Sequence, residues 1–281
     1  MAPTFTEEFV QVDGARVQMF KGGSGEPLLI LHGNSGNSGP TISAQMLAER
    51  YTVYMPSHPG FNQSERPEWL EAMQDLASFY SWFLEKQGLE GVRAIASSMG
   101  GWLAAEIAVN CRHAFSKLML VGAVGIQPKN SEITDVFLIT PEQVTELIIH
   151  DPKQVPDYDQ IYGQTPTPEE RYIADRNREM AVRLCWKPYM FDPSLPARLG
   201  RISHPTPHRL GPPGPYRSPG VRRALQAGHP RVGAHRNRGL RPQPPDREAT
   251  GVREAGPRVS RLTWAISPPS RPSPTKGEGV R

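Results

Sequence analysis

The residues with the clearest potential for chemistry follow a short apolar run, in the segment Arg93–Glu106 (RAIASSMGGWLAAE). Its centre, ASSMG, is close to the pattern Gly-x-Ser-x-Gly, in which a serine stands at a sharp turn between a strand and a helix. Small residues are needed on both sides of such a turn because the strand and the helix approach each other closely. Ala96 replaces the first glycine and adds only a methyl group. Ser98 is therefore the candidate nucleophile.

The same serines also have a simpler interpretation. Ser is a common N-cap, so Ser97 and Ser98 could do no more than begin the helix that follows them. In the catalytic interpretation, the N-terminus of that helix favours negative charge developing beside Ser98. The pattern alone leaves both interpretations open.

A second polar segment follows the apolar run of Leu28–Gly33 (LLILHG) and reads NSGNSG. Backbone N–H groups in this loop, that of Asn34 among them, could bind an oxyanion together with the N–H of Met99. His32 could be a general base. Its place at the end of a strand, before the loop, favours a hydrogen-bonded structural histidine instead.

A third segment, Tyr51–Ser64 (YTVYMPSHPGFNQS), again joins a strand to a polar turn. In this order and spacing, LLILHG, HPGFNQS and ASSMGGWLAAEIA resemble the α/β-hydrolase family. More narrowly, they are similar to its bacterial esterase and carbon–carbon-bond hydrolase branch with a helical cap. The resemblance covers residues 9–206 and includes WKPYMFDPSLPARLGRISHPT as the return from the cap to the sheet.

The resemblance implies a Ser–acid–His triad in that chain order. Ser98 would attack a carboxylic ester or a vinylogous diketone and form an acyl-enzyme. The acid and the histidine should each follow a late strand. No triad acid or histidine is identifiable in this chain, because none of His204, His208, His229 and His235 has a triad-like context.

The elements that must position these residues alternate along the chain. Phe9–Phe20 predicts a β-hairpin around Asp13-Gly14. Continuous apolar runs predict buried strands, and the stretches between them predict helices. The strands are expected at Leu28–Leu31, Thr52–Met55, Arg93–Ala96 and Leu118–Val121, and the helices at Ser43–Arg50, Trp69–Gln87 and Gly101–Asn110. The predicted fold is an α/β doubly wound, mostly parallel sheet.

The segment 127–196 differs from this alternation. It has helical stretches at Pro141–His150 and Glu169–Cys185 and no convincing strand, which predicts a helical cap over the carboxyl edge of the sheet. Trp186, Tyr189 and Met190 would either shape the pocket or pack as core. The predicted domains are the core (1–126), the cap (127–196), the return (197–206) and a tail (207–281).

The tail differs in composition from the rest of the chain. It holds 15 Lys/Arg, 4 Asp/Glu and 14 of the 30 Pro, a net charge of +11, whereas residues 1–206 carry 17 Lys/Arg and 24 Asp/Glu, a net −7. Such a composition predicts disorder. A nucleic-acid-binding arm is the alternative. The tail's two aromatic residues, Tyr216 and Trp264, form no stacking pattern, so no specific nucleic-acid binding is expected.

The tail also has the composition of GC-rich DNA translated out of frame. With free choice of synonymous codons, reading one nucleotide later from Pro207 can spell a strand, an Asp turn, an amphipathic helix, a second strand and a Gly-His pair. That Asp would span the codons of Gly214 and Pro215, and that His those of Pro242 and Gln243. We therefore expect one extra nucleotide near Thr206. The chain as written would then have an exposed sheet edge, fold poorly and be nearly inactive.

Several classes of protein are disfavoured. Cys111 and Cys185 suggest core thiols rather than a disulfide or a metal site. No cofactor is expected, because GGSGEP precedes a strand instead of following one. No signal segment or membrane span is visible, so a cytoplasmic protein acting on a small molecule is expected. The alternative to an active hydrolase is a catalytically dead remnant of one.

Overall fold

The computed structural model describes residues 3–129, 132–149, 151–155, 158, 162–163, 165–202, 206–209 and 232–235, the last two ranges by their backbone. Most of the predicted tail therefore lies outside the described residues. The described strands form one eight-stranded sheet in the order β1-β2-β4-β3-β5-β6-β7-β8. The strands are β1 (Phe5–Val12), β2 (Ala15–Gly22), β3 (Glu26–Leu31), β4 (Tyr51–Pro56), β5 (Val92–Ser97), β6 (Phe115–Val121), β7 (Thr206–Arg209) and β8 (Val232–His235).

The hairpin prediction is confirmed by β1 and β2, which pair antiparallel over their whole length. Asp13 and Gly14 both have positive φ, 46° and 80°. Two such residues form the tight turn whose twist matches that of the flanking strands. β2 then pairs antiparallel with β4, and this places the hairpin at one edge of the sheet.

The predicted alternation of parallel strands and helices is also confirmed. β3 lies between β4 and β5, and β5 pairs with β6, all in parallel. The helices between them are α1 (Ile42–Ala48), α2 (Met73–Lys86) and α3 (Met99–Asn110). The carboxyl ends of these strands therefore meet at one edge of the sheet.

Helix α2 begins later than Trp69, where the sequence predicted it. The carboxylate of Asp75 accepts hydrogen bonds from the N–H groups of Glu71 and Ala72, at 3.0 and 2.9 Å. These bonds satisfy N–H groups ahead of the first helical turn, so the helix starts at Met73.

The two faces of the sheet are covered unequally. On one face, Leu28, Val53 and Met55 pack with Ala44 and Ala48 of α1. The larger core lies on the other face and includes α2 and α3. Every residue of α3 from Met99 to Val109 is buried. A helix buried all round is one that sits deep in the core rather than on its surface.

Between β6 and β7 the chain forms a helical segment (residues 127–196). Within its described residues it has the helices α4 (Pro141–Ile148) and α5 (Pro168–Cys185) and a 3₁₀ turn at Pro152–Gln154. Thr140 and Thr167 begin α4 and α5 with capping boxes, each followed by proline at the first helical position. A short helix, α6 (Leu195–Arg198), and a 3₁₀ turn at Leu199–Arg201 lead back to the sheet.

The two ends of the helical segment lie side by side. The N–H of Gly125 donates to the carbonyl of Met190 at 2.9 Å, and the N–H of Asp192 donates to the carbonyl of Gly125 at 3.0 Å. Gly125 and Phe191 form an isolated parallel bridge. The chain therefore leaves and rejoins the core at a single point.

The expectation of an exposed edge after β6 is wrong for the carboxyl end of that strand. β7 pairs parallel with β6 at Leu120 and Val121, and β8 pairs with β7 over four residues. The sequence did not predict these two short strands, because the segment has no apolar periodicity. Their pairing is made by backbone groups, which every residue except proline supplies in full.

Candidate active site

Ser98 lies at the turn between β5, which ends at Ser97, and α3, which begins at Met99. Its backbone has φ 50° and ψ −119°, and its side chain makes no N-cap hydrogen bond. A non-glycine residue rarely adopts a positive φ, and such strain is concentrated at functional sites. Ser98 is also partly exposed. Ser98 therefore occupies the N-cap position of α3, but its side chain does not cap the helix.

Two glycines make the turn possible. A Cβ on Gly100 would lie 2.3 Å from the carbonyl oxygen of His32 and 2.6 Å from that of Leu31. A Cβ on Gly101 would lie 2.5 Å from Cβ of Ala123. Any larger residue would push α3 away from the ends of β3 and β6, so both glycines are required by close contact.

Ala96, the departure from the glycine pattern, is accommodated in the sheet. It lies fully buried between Leu31 of β3 and Leu120 of β6. The carbonyl of Ser98, two residues later, accepts hydrogen bonds from the N–H groups of Gly101 and Val124 at 3.0 and 3.2 Å. The methyl group of Ala96 therefore does not prevent the turn.

The loop after β3, residues 33–39 (the facing loop), approaches Ser98. A Cβ on Gly33 would lie 3.2 Å from Cβ of Ser98 and 3.8 Å from its Oγ. Asn34 follows in a turn and is partly buried. Met99 is the first residue of α3, where N–H groups lack acceptors within the helix. The structure thus brings the facing loop against Ser98. The oxyanion roles of Asn34 and Met99 stay predictions.

Carboxamide side chains hold the facing loop. Asn37 donates through Nδ2 to the carbonyl of Met55 at 2.8 Å and accepts the N–H of Gly39 at 3.0 Å. Asn62, from the loop after β4, accepts the N–H of Asn37 at 2.9 Å and donates to its carbonyl at 2.8 Å. The two loops at the carboxyl ends of β3 and β4 are therefore joined by side-chain hydrogen bonds.

His32 occupies a structural position. Its Nδ1 donates to the carbonyl of Gly33 at 2.7 Å, and its Nε2 accepts the N–H of His58 at 2.8 Å. Burial lowers the pKa of His32 to about 4, although its bond to Gly33 acts in the opposite direction. A ring with both nitrogens occupied cannot take a proton from Ser98, so His32 fits the structural interpretation.

His58 was not recognised in the sequence. Its ring centroid lies 3.7 Å from that of His32. Its Nε2 donates to the carbonyl of His32 at 3.1 Å, and its Nδ1 accepts from the hydroxyl of Tyr80 at 2.5 Å. Burial lowers the pKa of His58, with a further contribution from His32, and burial raises the pKa of Tyr80. The pair is therefore neutral at ordinary pH.

Ion pairs tie α3 to the chain that returns from the helical segment. Glu106 is fully buried and accepts two hydrogen bonds from Arg198, at 2.6 and 2.9 Å. Arg198 also pairs with Asp192 at 2.5 Å. Burial acts to raise the pKa of Asp192, but hydrogen bonds to Ser194 and the charge of Arg198 bring it below its ordinary value. The helix that carries Ser98 is thereby fixed from its far side.

The aromatic residues considered for a pocket pack within the helical segment. The hydroxyl of Tyr189 accepts the N–H of Val136 at 2.8 Å and donates to the carbonyl of Thr134 at 3.0 Å. Met190 is buried, whereas Trp186 is 47% exposed and has its ring beside that of Tyr189. Tyr189 and Met190 therefore fit the packing interpretation, and Trp186 still has a free face.

Neither cysteine belongs to the described site, and the late histidines have no described side chains. Cys185 is buried, and burial raises its pKa, while Cys111 is partly buried. His204 and His229 lie outside the described residues, and His208 and His235 are described by their backbone alone. Among the described side chains, no group of three or more His, Cys, Asp or Glu could hold a metal. None of the helices in the described ranges is long and apolar enough to cross a membrane.

The family comparison agrees with this arrangement of strand, turn and buried helix. A family model described as the alpha/beta hydrolase fold matches residues 26–159. Residues 26–159, just under half of the chain, are therefore similar to the α/β-hydrolase family. This match contains β3, the facing loop, Ser98 and α3, and the resemblance drawn from the three motifs is confirmed.

Two characterised relatives share this region. Over 134 residues the chain is 33% identical to the dihydrolipoyllysine-residue acetyltransferase component of the acetoin cleaving system of Cupriavidus necator, covering 47% of this chain and 36% of that protein. Over 135 residues it is 27% identical to 2-hydroxy-6-oxo-2,4-heptadienoate hydrolase of Pseudomonas putida, covering 45% and 46%. The chain thus spans less than half the length of these relatives.

Solved structures share the fold over a longer range. The 2-hydroxy-6-oxo-6-phenylhexa-2,4-dienoate hydrolase of a Rhodococcus species superposes with a TM-score of 0.63 at 20% identity, covering 83% of this chain and 90% of that one. The N-formylmaleamic acid deformylase of Pseudomonas putida gives a TM-score of 0.63 at 17% identity, covering 82% and 91%. Both confirm the α/β-hydrolase fold.

Proposed function

We propose that this protein is a serine hydrolase that forms an acyl-enzyme at Ser98. The observation that carries the proposal is the backbone of Ser98, held at φ 50° with a side chain that makes no cap hydrogen bond. Its neighbours leave room for a reactive Oγ, because the opposite residue, Gly33, has no side chain. A serine is positioned in this way for attack on a carbonyl carbon.

The reaction would proceed in two steps. Oγ of Ser98 attacks the carbonyl carbon, its proton passes to a general base, and the leaving group departs after taking up a proton. Water then releases the acyl group. During both steps the N–H groups of Asn34 and Met99 would bind the oxyanion. Neither His32 nor His58 fits the role of this base, because both rings are already hydrogen-bonded at both nitrogens.

A carboxylic ester or a vinylogous diketone is the proposed substrate class. The name of the Pseudomonas putida relative describes a hydrolase of an oxo-dienoate. The Rhodococcus hydrolase, whose name describes a similar substrate with a phenyl group, shares the fold. The helical segment would act as the cap over a small-molecule site, since α5 packs on the loops at the carboxyl edge. Trp186, which keeps an exposed face at the end of α5, would be a substrate contact in that cap.

A fluorophosphonate probe tests the nucleophile. Oγ of Ser98 would displace fluoride from phosphorus, and the adduct would be located by mass spectrometry. Labelling, slow in a chain without the triad histidine, is expected in the wild type and in Ser97→Ala, the neighbouring control, and is expected to disappear in Ser98→Ala. Labelling that persists in Ser98→Ala contradicts the proposal. A folded wild-type chain that is not labelled favours the alternative of a dead remnant.

We also propose that the tail is translated out of frame. The supporting observation is the change in composition at Pro207. DNA and RNA sequencing across the codons of Ser203–Gly211 would show one surplus nucleotide. Restoring the frame is expected to add the missing acid and histidine and to raise ester turnover by about 10³-fold or more. An unaltered sequence in both DNA and RNA, or ordinary turnover by the chain as written, would contradict this second proposal.

A further inference from the structure

We propose that Asn177 is a positioning residue, through which helix α5 holds the facing loop in the conformation that Ser98 requires. The inference rests on the proposed role of Ser98 and assigns the helical segment a part in that role. Asn177 lies in the middle of α5 and is only 3% exposed. A buried carboxamide is costly unless its donor and acceptor groups are all used, so its partners show what it does.

Asn177 joins two loops that follow different strands. Its Oδ1 accepts the N–H of Asn62 at 2.7 Å, and its Nδ2 donates to the carbonyl of Ser35 at 2.9 Å. Asn62 and Ser35 are 115 and 142 residues away from it in sequence. One side chain therefore links α5 to the loop after β4 and to the facing loop at the same time.

The link continues into the sheet. Asn62 is held at φ 49° and exchanges two hydrogen bonds with the backbone of Asn37. Asn37 in turn donates to the carbonyl of Met55, at the end of β4. Three carboxamides thus form a continuous chain of hydrogen bonds from α5 through both loops to the rigid end of a strand. Fully satisfied networks of this kind fix one conformation.

The contact with the facing loop depends on the absence of a side chain at Gly36. A Cβ there would lie 2.1 Å from Nδ2 of Asn177 and 2.6 Å from Oδ1 of Asn62. Gly36 has φ +93°, and its N–H donates to the carbonyl of Gly33 at 3.3 Å. Gly33 is the residue packed against Ser98, so the carboxamide of Asn177 acts on the backbone one turn away from the nucleophile.

The expected effect is on the chemical step. An oxyanion is stabilised by N–H groups already placed where the charge develops, and small displacements of these groups weaken that stabilisation. Loss of the Asn177 hydrogen bonds releases the facing loop while the turn at Ser98 keeps its own backbone contacts. The maximal rate of reaction at Ser98 should therefore fall more than the affinity for the reagent.

The experiment compares Asn177→Ala and Asn177→Asp with Met180→Ala in the full chain. Asp keeps the acceptor for Asn62 but loses the donor to Ser35. Met180 lies one turn further along α5, is buried, and packs against Gly60 without a side-chain hydrogen bond. Its truncation weakens the same helix contact by loss of packing alone. The probe is a fluorophosphonate, read as the maximal labelling rate and the half-saturating concentration, with hydrogen exchange of residues 34–39 and Asn62 measured in parallel.

We expect both Asn177 variants to lower the maximal labelling rate about tenfold or more, with a nearly unchanged half-saturating concentration. The backbone amides of Asn62 and of the facing loop should exchange faster in Asn177→Ala. Met180→Ala should change neither the labelling rate nor this exchange, although it should lower the melting temperature. Wild-type labelling rates in the Asn177 variants, or an equal fall in Met180→Ala, would overturn the proposal. If the wild-type chain is not labelled at all, the role of Ser98 fails. The role of Asn177 is then decided by exchange, and equal protection in Asn177→Ala and Met180→Ala refutes it.

Discussion

The turn at Ser98 and the facing loop lie against each other, yet different interactions hold them in place. The turn is set by backbone contacts, with Gly100 and Gly101 packed where no Cβ fits. The facing loop is set by the carboxamides of Asn37 and Asn62, together with that of Asn177. Close packing makes the turn hard to deform, whereas the loop depends on a few hydrogen bonds that single substitutions remove.

This difference suggests that the turn and the facing loop have different roles in the site. The nucleophile belongs to the core and should keep its conformation as long as the sheet is folded. Of the two groups expected to bind the oxyanion, the N–H of Met99 belongs to the turn, whereas that of Asn34 belongs to a loop whose conformation depends on distant side chains. Substitutions near the turn should therefore act on folding, and substitutions in the loop should act on reactivity.

The largest effect is expected from Gly100→Ala. Because the new Cβ would meet the carbonyl of His32 at 2.3 Å, α3 must shift, and we expect a loss of about 3 kcal/mol or more in the free energy of unfolding. Gly88→Ala is the control, since it has open space and φ +63°, so it should cost about 1 kcal/mol. Urea unfolding measures both. Equal costs would show that contact does not hold the turn.

A smaller loss in the free energy of unfolding is expected from Asn62→Ala. It removes two hydrogen bonds to Asn37 and leaves buried groups unpaired, which should cost about 2 to 3 kcal/mol. Labelling of Ser98 should slow together with the loss of stability. The neighbouring exposed Gln63→Ala is the control and should change neither quantity. Unaltered labelling in Asn62→Ala would show that the loop does not need its carboxamides.

The neutral pair of His32 and His58, next to the facing loop, should make the free energy of unfolding depend on pH. Below pH 6.5 the unfolded chain takes up protons that folded His32, with its pKa of about 4, does not bind. The free energy of unfolding should therefore be level above pH 7 and fall by roughly 2 kcal/mol between pH 6.5 and pH 4, with His58 acting in the same direction.

Urea unfolding of the wild type and of His32→Gln at several pH values checks this expectation. His32→Gln should show a shallower fall. Replacement of the exposed His113 by Gln should leave the dependence as it is. A wild-type profile that stays flat down to pH 4 would show that these rings do take up protons in the folded state.

The smallest effect is expected from Thr167→Ala. Thr167 caps α5 by accepting the N–H of Glu170 at 3.2 Å, and its loss should cost about 1 kcal/mol. The first turn of α5 should exchange faster, as hydrogen exchange would show, while labelling of Ser98 stays constant. Slower labelling would mean that the whole of α5, and not Asn177 alone, fixes the conformation of the facing loop.

The features that could be predicted from the sequence are those encoded by neighbouring residues. The turn at Ser98 was recognisable because its serine and glycines lie within a few residues of each other. Buried strands such as Leu28–Leu31 show as continuous apolar runs, and most of α5 was predicted as the helical stretch Glu169–Cys185. In each case the local pattern and the final packing require the same residue types.

The features that were missed depend on contacts between distant residues. Asn177 looks like any polar residue in a helix, since its partners lie more than a hundred positions away. His58 was visible only as part of a turn sequence, and its pairing with His32 and Tyr80 requires three elements to be assembled. The strands β7 and β8 rest on backbone pairing, which leaves no trace in side-chain type.

The bridge between Gly125 and Phe191 means that the helical segment could be exchanged as a unit. Because its two ends are already joined to each other, a segment of another length could replace residues 126–190 without moving the sheet. The entropic cost of closing a longer insert grows only slowly with its length. Selection could therefore change what reaches Ser98 by replacing this segment, while the turn that carries the serine is inherited unchanged.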